Sequence, residues 1–189
     1  PALIQALYIS KGPMLIAALV EFGIVWYLSS RIYKLSLASA TLWFILFSAI
    51  NGLTLGWIFA VYKIAIIAKT FFVTAGTFGA MALIGSTTKK DLTKFGGILF
   101  MALIGLIIAS LVNLFLHSST MDYIVSIVGV LIFTGLTAWD AQAIKRNLLM
   151  APDAGESAQK IALLGSLSLY LDFINLFLYL LRFFGNNKN

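Results

Sequence analysis

Three carboxylates stand inside apolar stretches where a carboxylate is costly: Glu21, Asp140 and Asp172. A charged side chain at the centre of a membrane-spanning helix costs at least about 3 kcal/mol, so it normally faces the bundle interior and has a partner there. Asp172 is the deepest, about 11 residues beyond Ile161, which is roughly 16 Å along a helix and close to a bilayer midplane. Ser168, Asp172, Asn175, Tyr179 and Arg182 follow one another at spacings of 4, 3, 4 and 3, which sets them on one helix face. Phe173, Leu176, Leu180 and Phe184 fall elsewhere on the same helix. A polar stripe of this length fits a helix that is surrounded by others or lines a wet cavity. A plainer account stays open, in which Tyr179 and Arg182 mark the outer membrane interface and the Ser and Asn bond to backbone.

Asp140 lies in Thr137-Ala138-Trp139-Asp140-Ala141-Gln142, with Lys145 and Arg146 five and six residues on. Taken alone, it reads as a helix-end acid compensated by those bases. Its stretch and that of Asp172 are consecutive, however, so the two helices are expected to be antiparallel neighbours, with the acids facing each other. Two carboxylates in one poorly solvated site cannot both ionise cheaply, so such a pair can hold a proton near physiological pH. It can also attract a hard divalent cation, although two acids fall short of the 6–8 oxygen ligands of a tight calcium site. The expected metal chemistry at Asp140 and Asp172 is therefore a weak, transient, proton-competed site. Glu21 sits midway along the first stretch and Arg31 near its end. Arg31 has two readings: it reaches a carboxylate of the pair and holds the cytoplasmic mouth shut, or it is a topology charge. Around the pair, Arg31, Glu21, Ser168 and Asn175 are the candidates for latch or pore-lining roles.

Other chemistries find little footing. The chain has no Cys and one His, which removes thiolate catalysis, disulfides and any His-cluster metal centre. His117 reads as a solvated loop residue. No nucleophile elbow, phosphate loop or zinc-binding His motif is present, so no enzymatic activity and no cofactor are expected. The 13 Lys and Arg give a net charge of +6, but they are scattered between apolar runs, not gathered into a nucleic-acid-binding face.

The elements that must position these acids follow from composition. The 189 residues are 61% hydrophobic and 11% charged, with a mean hydropathy of +0.99, whereas soluble domains are about 45–50% apolar and about 25% charged. The surface therefore faces lipid, and the long unalternating apolar runs specify helices, not a barrel. Six spans are expected: Pro13 to Ser30, Leu37 to Val61, Ile64 to Gly85, Phe95 to Leu116, Met121 to Ile144 and Ile161 to Phe184. Lys69 interrupts the third and is expected near an interface, where its stem can snorkel. The stretch from Lys145 to Lys160, with Pro152, Asp153 and Gly155, reads as an exposed loop. Alternate connections hold Arg31, Lys34, Lys89, Lys90, Lys94, Lys145, Arg146 and Lys160, against Lys11, Lys63, Lys69, Arg182 and Lys188 on the other side. That bias makes the first side cytoplasmic and puts the C-terminus outside. Gly52 with Gly56, Ala75 with Gly79, and Gly76 with Ala80 form small-xxx-small pairs, expected to serve close helix packing.

Two blocks carry a family likeness. Trp139-Asp140-Ala141-Gln142-Ala143-Ile144-Lys145 is similar to the acid-x-Gln-x-Ile element of the Bax inhibitor-1 family, also called the transmembrane BAX inhibitor motif or YccA-like family. Ser166-Leu167-Ser168-Leu169-Tyr170-Leu171-Asp172-Phe173-Ile174-Asn175-Leu176-Phe177, followed by Leu180-Leu181-Arg182-Phe183-Phe184-Gly185, closely resembles the family's last helix, and the span pattern agrees over essentially the whole chain. The resemblance implies an all-α transmembrane bundle of seven helices with the last one central, in the inner membrane of a bacterium. Six are read here, so one domain is expected over residues 1–189, with the family's first helix lying upstream of Pro1. The resemblance further implies that Asp140 and Asp172 sense pH in a calcium leak, with calcium as the transported ion. An arginine of the second family helix acts as the latch, and Arg31 is its approximate match. The expected partners are the bilayer, calcium and protons. The competing expectation is a regulatory protein that restrains a membrane protease or another membrane partner, for which the 145–160 loop would matter more than the acids. A proton-coupled transporter would also use buried acids.

Overall fold

A computed structural model describes residues 11–185; Pro1 and the tail beyond Gly185, Lys188 included, lie outside the described residues. Seven helices occur among the described residues: α1 Lys11–Arg31, α2 Leu37–Leu55, α3 Ile58–Val61, α4 Ile64–Thr87, α5 Thr93–Leu116, α6 Ser119–Leu149 and α7 Glu156–Gly185. No strand is found among them. Five segments are long and apolar enough to cross a membrane: Leu37–Val61, Ile64–Thr87, Thr93–Leu116, Ser119–Leu149 and Glu156–Gly185. The all-α polytopic architecture expected from composition is the one observed, and α1 covers the first expected span. Large apolar side chains point outward along these helices, Phe72 at 74% and Phe115 at 85% exposure, as a lipid-facing surface requires.

The polar residues within the helices are largely satisfied by their own backbone. Thr41, Ser48, Thr74, Ser110, Ser126 and Thr137 each donate a hydroxyl to the carbonyl four residues back, at 2.7–2.9 Å, which removes a cost that lipid could not relieve. Ser36 caps α2, its Oγ accepting from the Ser39 amide at 3.2 Å. Ser118 caps α6 in the same way through the Met121 amide. His117 ends α5 in the left-handed region, φ 49°, a conformation in which His is enriched among non-glycine residues.

Two expectations are corrected. The span from Leu37 to Val61 is not one helix: the Gly56 amide bonds the Leu53 carbonyl three residues back, and a tightened turn separates α2 from α3. The weak helix former Gly56 stands at this break. The 145–160 loop is mostly helical, since α6 runs to Leu149 and α7 starts at Glu156. Lys145 and Arg146 lie within α6 and bind Ser86 near the end of α4 and Thr93 at the start of α5, and Lys160 pairs with Glu156 at 2.8 Å within the first turns of α7. Lys69 does not rely on snorkelling alone, for its ammonium lies over the Phe184 ring, 5.1 Å from the centroid.

Contacts divide the chain into two compact units. In the first, α1 to α3 with residues 151–164, α1 packs on α2 and buries Leu28, Ile32, Ala40 and Phe47. Here Asp153 Oδ1 accepts from the Gly155 amide at 2.8 Å and the Ser157 amide at 3.4 Å, fastening the start of α7. In the second, α4 to α6 with α7 from Gly165, both α4 and α5 pack against α6. Its core joins Leu99 and Leu106 of α5, Ile132 and Leu136 of α6, and Leu176 and Leu180 of α7. Phe173 of α7 meets Phe71 and Phe78 of α4 edge-on, at 5.9 and 5.4 Å between ring centroids. Within its unit, α7 thus meets α4 through Phe173 and α6 through Tyr179, whose ring stacks on Phe133.

Close approach in this unit uses glycines other than the expected ones. A Cβ on Gly85 would fall on the Ala138 backbone, and one on Gly165 would lie 2.6 Å from the Ile144 side chain. Gly52, Gly76 and Gly79 meet nothing within 4 Å, so these three glycines of the expected pairs lie apart from the tight contacts.

Candidate functional site

Asp140 is carried on a closely packed part of α6. Gly85 of α4 lets its helix backbone rest against Ala138, and Gly96 of α5 leaves room for the Trp139 ring. Just beyond, Gln142 spans to the connection between α4 and α5: its Oε1 accepts from the Leu92 amide at 2.8 Å, and its Nε2 donates to the Lys90 carbonyl at 2.7 Å. Lys145 Nζ donates to the Ser86 carbonyl and Arg146 to Thr93 Oγ1, both at 2.7 Å. Asp91 in this connection accepts from the Thr93 hydroxyl at 2.6 Å. That hydrogen bond, with the Thr93 amide and the nearby Arg146, holds its carboxyl below the ordinary aspartate value.

Asp172 comes from α7, which approaches α6 where Gly165 meets Ile144. The two expected acids come together, on facing helices, close enough for their carboxyl groups to act on each other. Asp172 is 5% exposed. The pair lines a cavity of about 420 Å³ together with Ser168, Asn175, Trp139 and Tyr179. Two buried polar atoms of this lining, Asp172 Oδ2 and Trp139 Nε1, have no hydrogen-bond partner. A buried carboxylate oxygen without a donor calls for a proton, a water or a cation. Asn175 places its amide on the Leu171 carbonyl at 2.8 Å, the backbone bonding that the plainer account of the stripe allows. Its residue nonetheless lines the cavity, as does Ser168.

Glu21 and Arg31 belong to the first unit. Glu21 accepts two hydrogen bonds from α2, from Asn51 Nδ2 at 2.9 Å and from Thr54 Oγ1 at 2.7 Å, so both carboxylate oxygens have neutral donors. Arg31 is an exposed base in the last turn of α1 and forms no ion pair among the described residues. No group of three or more His, Cys, Asp or Glu side chains able to hold a metal occurs among the described residues.

Sequence reasoning passed over a second polar cluster, at the turn between α5 and α6. Asp122 accepts from Asn113 Nδ2 at 2.8 Å, and Asn113 Oδ1 accepts from the Ser118 amide at 3.1 Å. Arg182 of α7 lies 3.9 Å from Asp122 and over the Tyr179 ring. His117, taken as a solvated loop residue, lines a cavity of about 460 Å³ with Asp122, Asn113, Ser110, Tyr179 and Arg182. An acid in the first turn of a helix looks like ordinary capping in sequence, so nothing in the spacing of Asp122 distinguishes it.

Over residues 2–189 the chain matches the family described as Inhibitor of apoptosis-promoting Bax1. It is 48% identical over 189 residues to the Inner membrane protein YbhL of Escherichia coli, covering 99% of this chain and 80% of the relative. A protein of Borreliella burgdorferi named only as uncharacterized is 49% identical over 187 residues, 98% of this chain and 81% of its own length. An uncharacterized membrane protein of Streptococcus pyogenes serotype M1 is 43% identical over 171 residues, 90% and 73% of the two chains.

Proposed function

The chain belongs to the Bax inhibitor-1 family of membrane proteins, and we propose that it is a pH-sensitive calcium-permeable leak channel of a bacterial inner membrane, with Asp140 and Asp172 as proton switch and ion-attracting pair. The observation that carries this reading is that Asp140 and Asp172, from two apolar helices, line one cavity of about 420 Å³, with one Asp172 oxygen lacking any donor. When the pair has lost its protons it presents negative charge to a hard cation, and oxygen ligands suit calcium. A proton on the pair cancels that attraction, so protons and calcium compete and flux falls as pH falls. Two carboxylates without a third acid give affinity low enough for release, which conduction requires. The sided charge of the connections supports a cytoplasmic α6–α7 end and a C-terminus on the outside. We read the protein as non-enzymatic.

The test is calcium flux into liposomes holding the purified chain, measured between pH 6 and 8. Flux is expected to rise with pH in the unaltered protein and to lose that dependence in Asp140→Asn and Asp172→Asn. Unchanged flux and an unchanged pH profile in both variants refute the proposal.

A further inference from the structure

The cavity around the aspartates and the cavity at the α5–α6 turn share two lining residues, Ile107 of α5 and Tyr179 of α7. On α7 these cavities follow one another: Tyr179 lies seven residues past Asp172 and Arg182 ten, or about 10 and 15 Å along the helix axis. Exposure rises in the same direction, from 5% at Asp172 to side-chain values of 45% at Arg182 and 48% at Asp122. We propose that the two cavities are consecutive parts of one cation passage along the seam of α5 and α7, and that the ring of Tyr179, facing Ile107, is the partition between them. This rests on the reading of the aspartate pair as a cation site and adds the route by which a cation reaches it from the α5–α6 end.

Several contacts hold the partition in place. The Tyr179 ring stacks on Phe133 of α6 with centroids 5.8 Å apart and planes 22° from parallel. On the same helix, Gly129 is obligatory beneath it, since a Cβ there would lie 2.6 Å from ring carbons. The guanidinium of Arg182 covers the ring at 5.7 Å and is itself held toward Asp122, which Asn113 orients. The ring is therefore held both by α6 and by the guanidinium of Arg182. That cation stands on the vestibule side, where it repels an approaching ion, and Asp122 offsets its charge. Moving or removing the ring joins two cavities of about 420 and 460 Å³.

The chain contains no cysteine, so single cysteines report access without background. Asn175→Cys lies on the aspartate side of Tyr179, and Ser110→Cys on the vestibule side. Each would be labelled in liposomes by a membrane-impermeant cationic thiol reagent added from the α5–α6 side. Fast labelling is expected at Ser110→Cys and slow labelling at Asn175→Cys. Adding Tyr179→Ala is expected to accelerate the Asn175→Cys reaction at least tenfold, while Tyr179→Phe, which keeps the ring, leaves it slow. The Ser110→Cys rate serves as the folding control. If the alanine variant loses that signal, Tyr179→Leu replaces it under the same criteria. The proposal is overturned if Asn175→Cys already labels as fast as Ser110→Cys, or if removing the ring leaves its rate unchanged while Ser110→Cys still reacts. Neither outcome depends on calcium flux. A partition confirmed by labelling alongside aspartate variants with unaltered flux would leave the passage standing and remove its assignment to calcium.

Discussion

Alanine at Gly85 is expected to destabilise the protein, although alanine is the better helix former. A Cβ there would lie 2.7 Å from both the Cα and the carbonyl carbon of Ala138, and closer still to that carbonyl oxygen. Ordinary carbon contacts are about 3.5–4.0 Å, so α4 and α6 must separate by roughly 1 Å. The atoms in the way are backbone, and no rotamer change can relieve the overlap. Overpacking of this kind costs about 1–3 kcal/mol, against a gain of about 1 kcal/mol in helix propensity. The net is a loss of up to about 2 kcal/mol, or a melting point lower by up to about 8 °C in a chain of this size. Gly76→Ala on the same helix is the control, because its Cβ meets nothing within 4 Å and only the propensity gain remains. Thermal unfolding in detergent, followed through the four tryptophans, compares the two. Equal melting points for Gly85→Ala and Gly76→Ala would refute the close backbone contact of α4 with α6. Because Ala138 is two residues from Asp140, the Gly85 variant is also expected to disturb the pH profile of flux.

Three further outcomes are expected. Gln142→Ala removes both hydrogen bonds to the Lys90–Leu92 connection and is expected to cost about 1–3 kcal/mol, with faster amide exchange at Leu92 as the direct readout. Thr54→Val strips the hydroxyl donor from the Glu21 carboxylate and is expected to cost about 1.5–3 kcal/mol, since hydrogen bonds to charged groups are the strong ones; Thr41→Val, whose hydroxyl serves only the Leu37 carbonyl, gives the smaller reference effect in the same melt. Asp91 is held below the ordinary value of 3.8 by Thr93, so its anchoring is present above that value and is lost only as the pH falls through the lower folded value. A carboxyl NMR titration is expected to show that low midpoint and its return toward 3.8 in Thr93→Val.

The fold class was legible because lipid imposes a simple rule, and long runs such as Thr93 to Leu116 have almost no other interpretation. Asp140 and Asp172 were legible for the same reason, as acids in the wrong solvent, and consecutive helices then implied their meeting. What sequence could not display was which small residue touches what. Gly76 and Gly85 look alike in a list of residues, and only the rotation of α4 about its axis puts one in open space and the other on Ala138. The length of α6 was underestimated because Lys145 and Arg146 read as the edge of a loop. In the structure their charges find the Ser86 carbonyl and Thr93, and the helix continues for another turn. Asp122 was hidden by its ordinariness, an acid in a first helical turn whose partners are nine residues back on α5 and sixty residues on, in α7.

The grip of Gln142 on backbone atoms of the α4–α5 connection has a mechanical meaning. Gln142 and Asp140 are two residues apart on one helix, within a single turn, so a pull on Lys90 or Leu92 is delivered to the carboxyl group through a rigid rod and not through soft side chains. A displacement of this short connection is therefore expected to shift Asp140 with it.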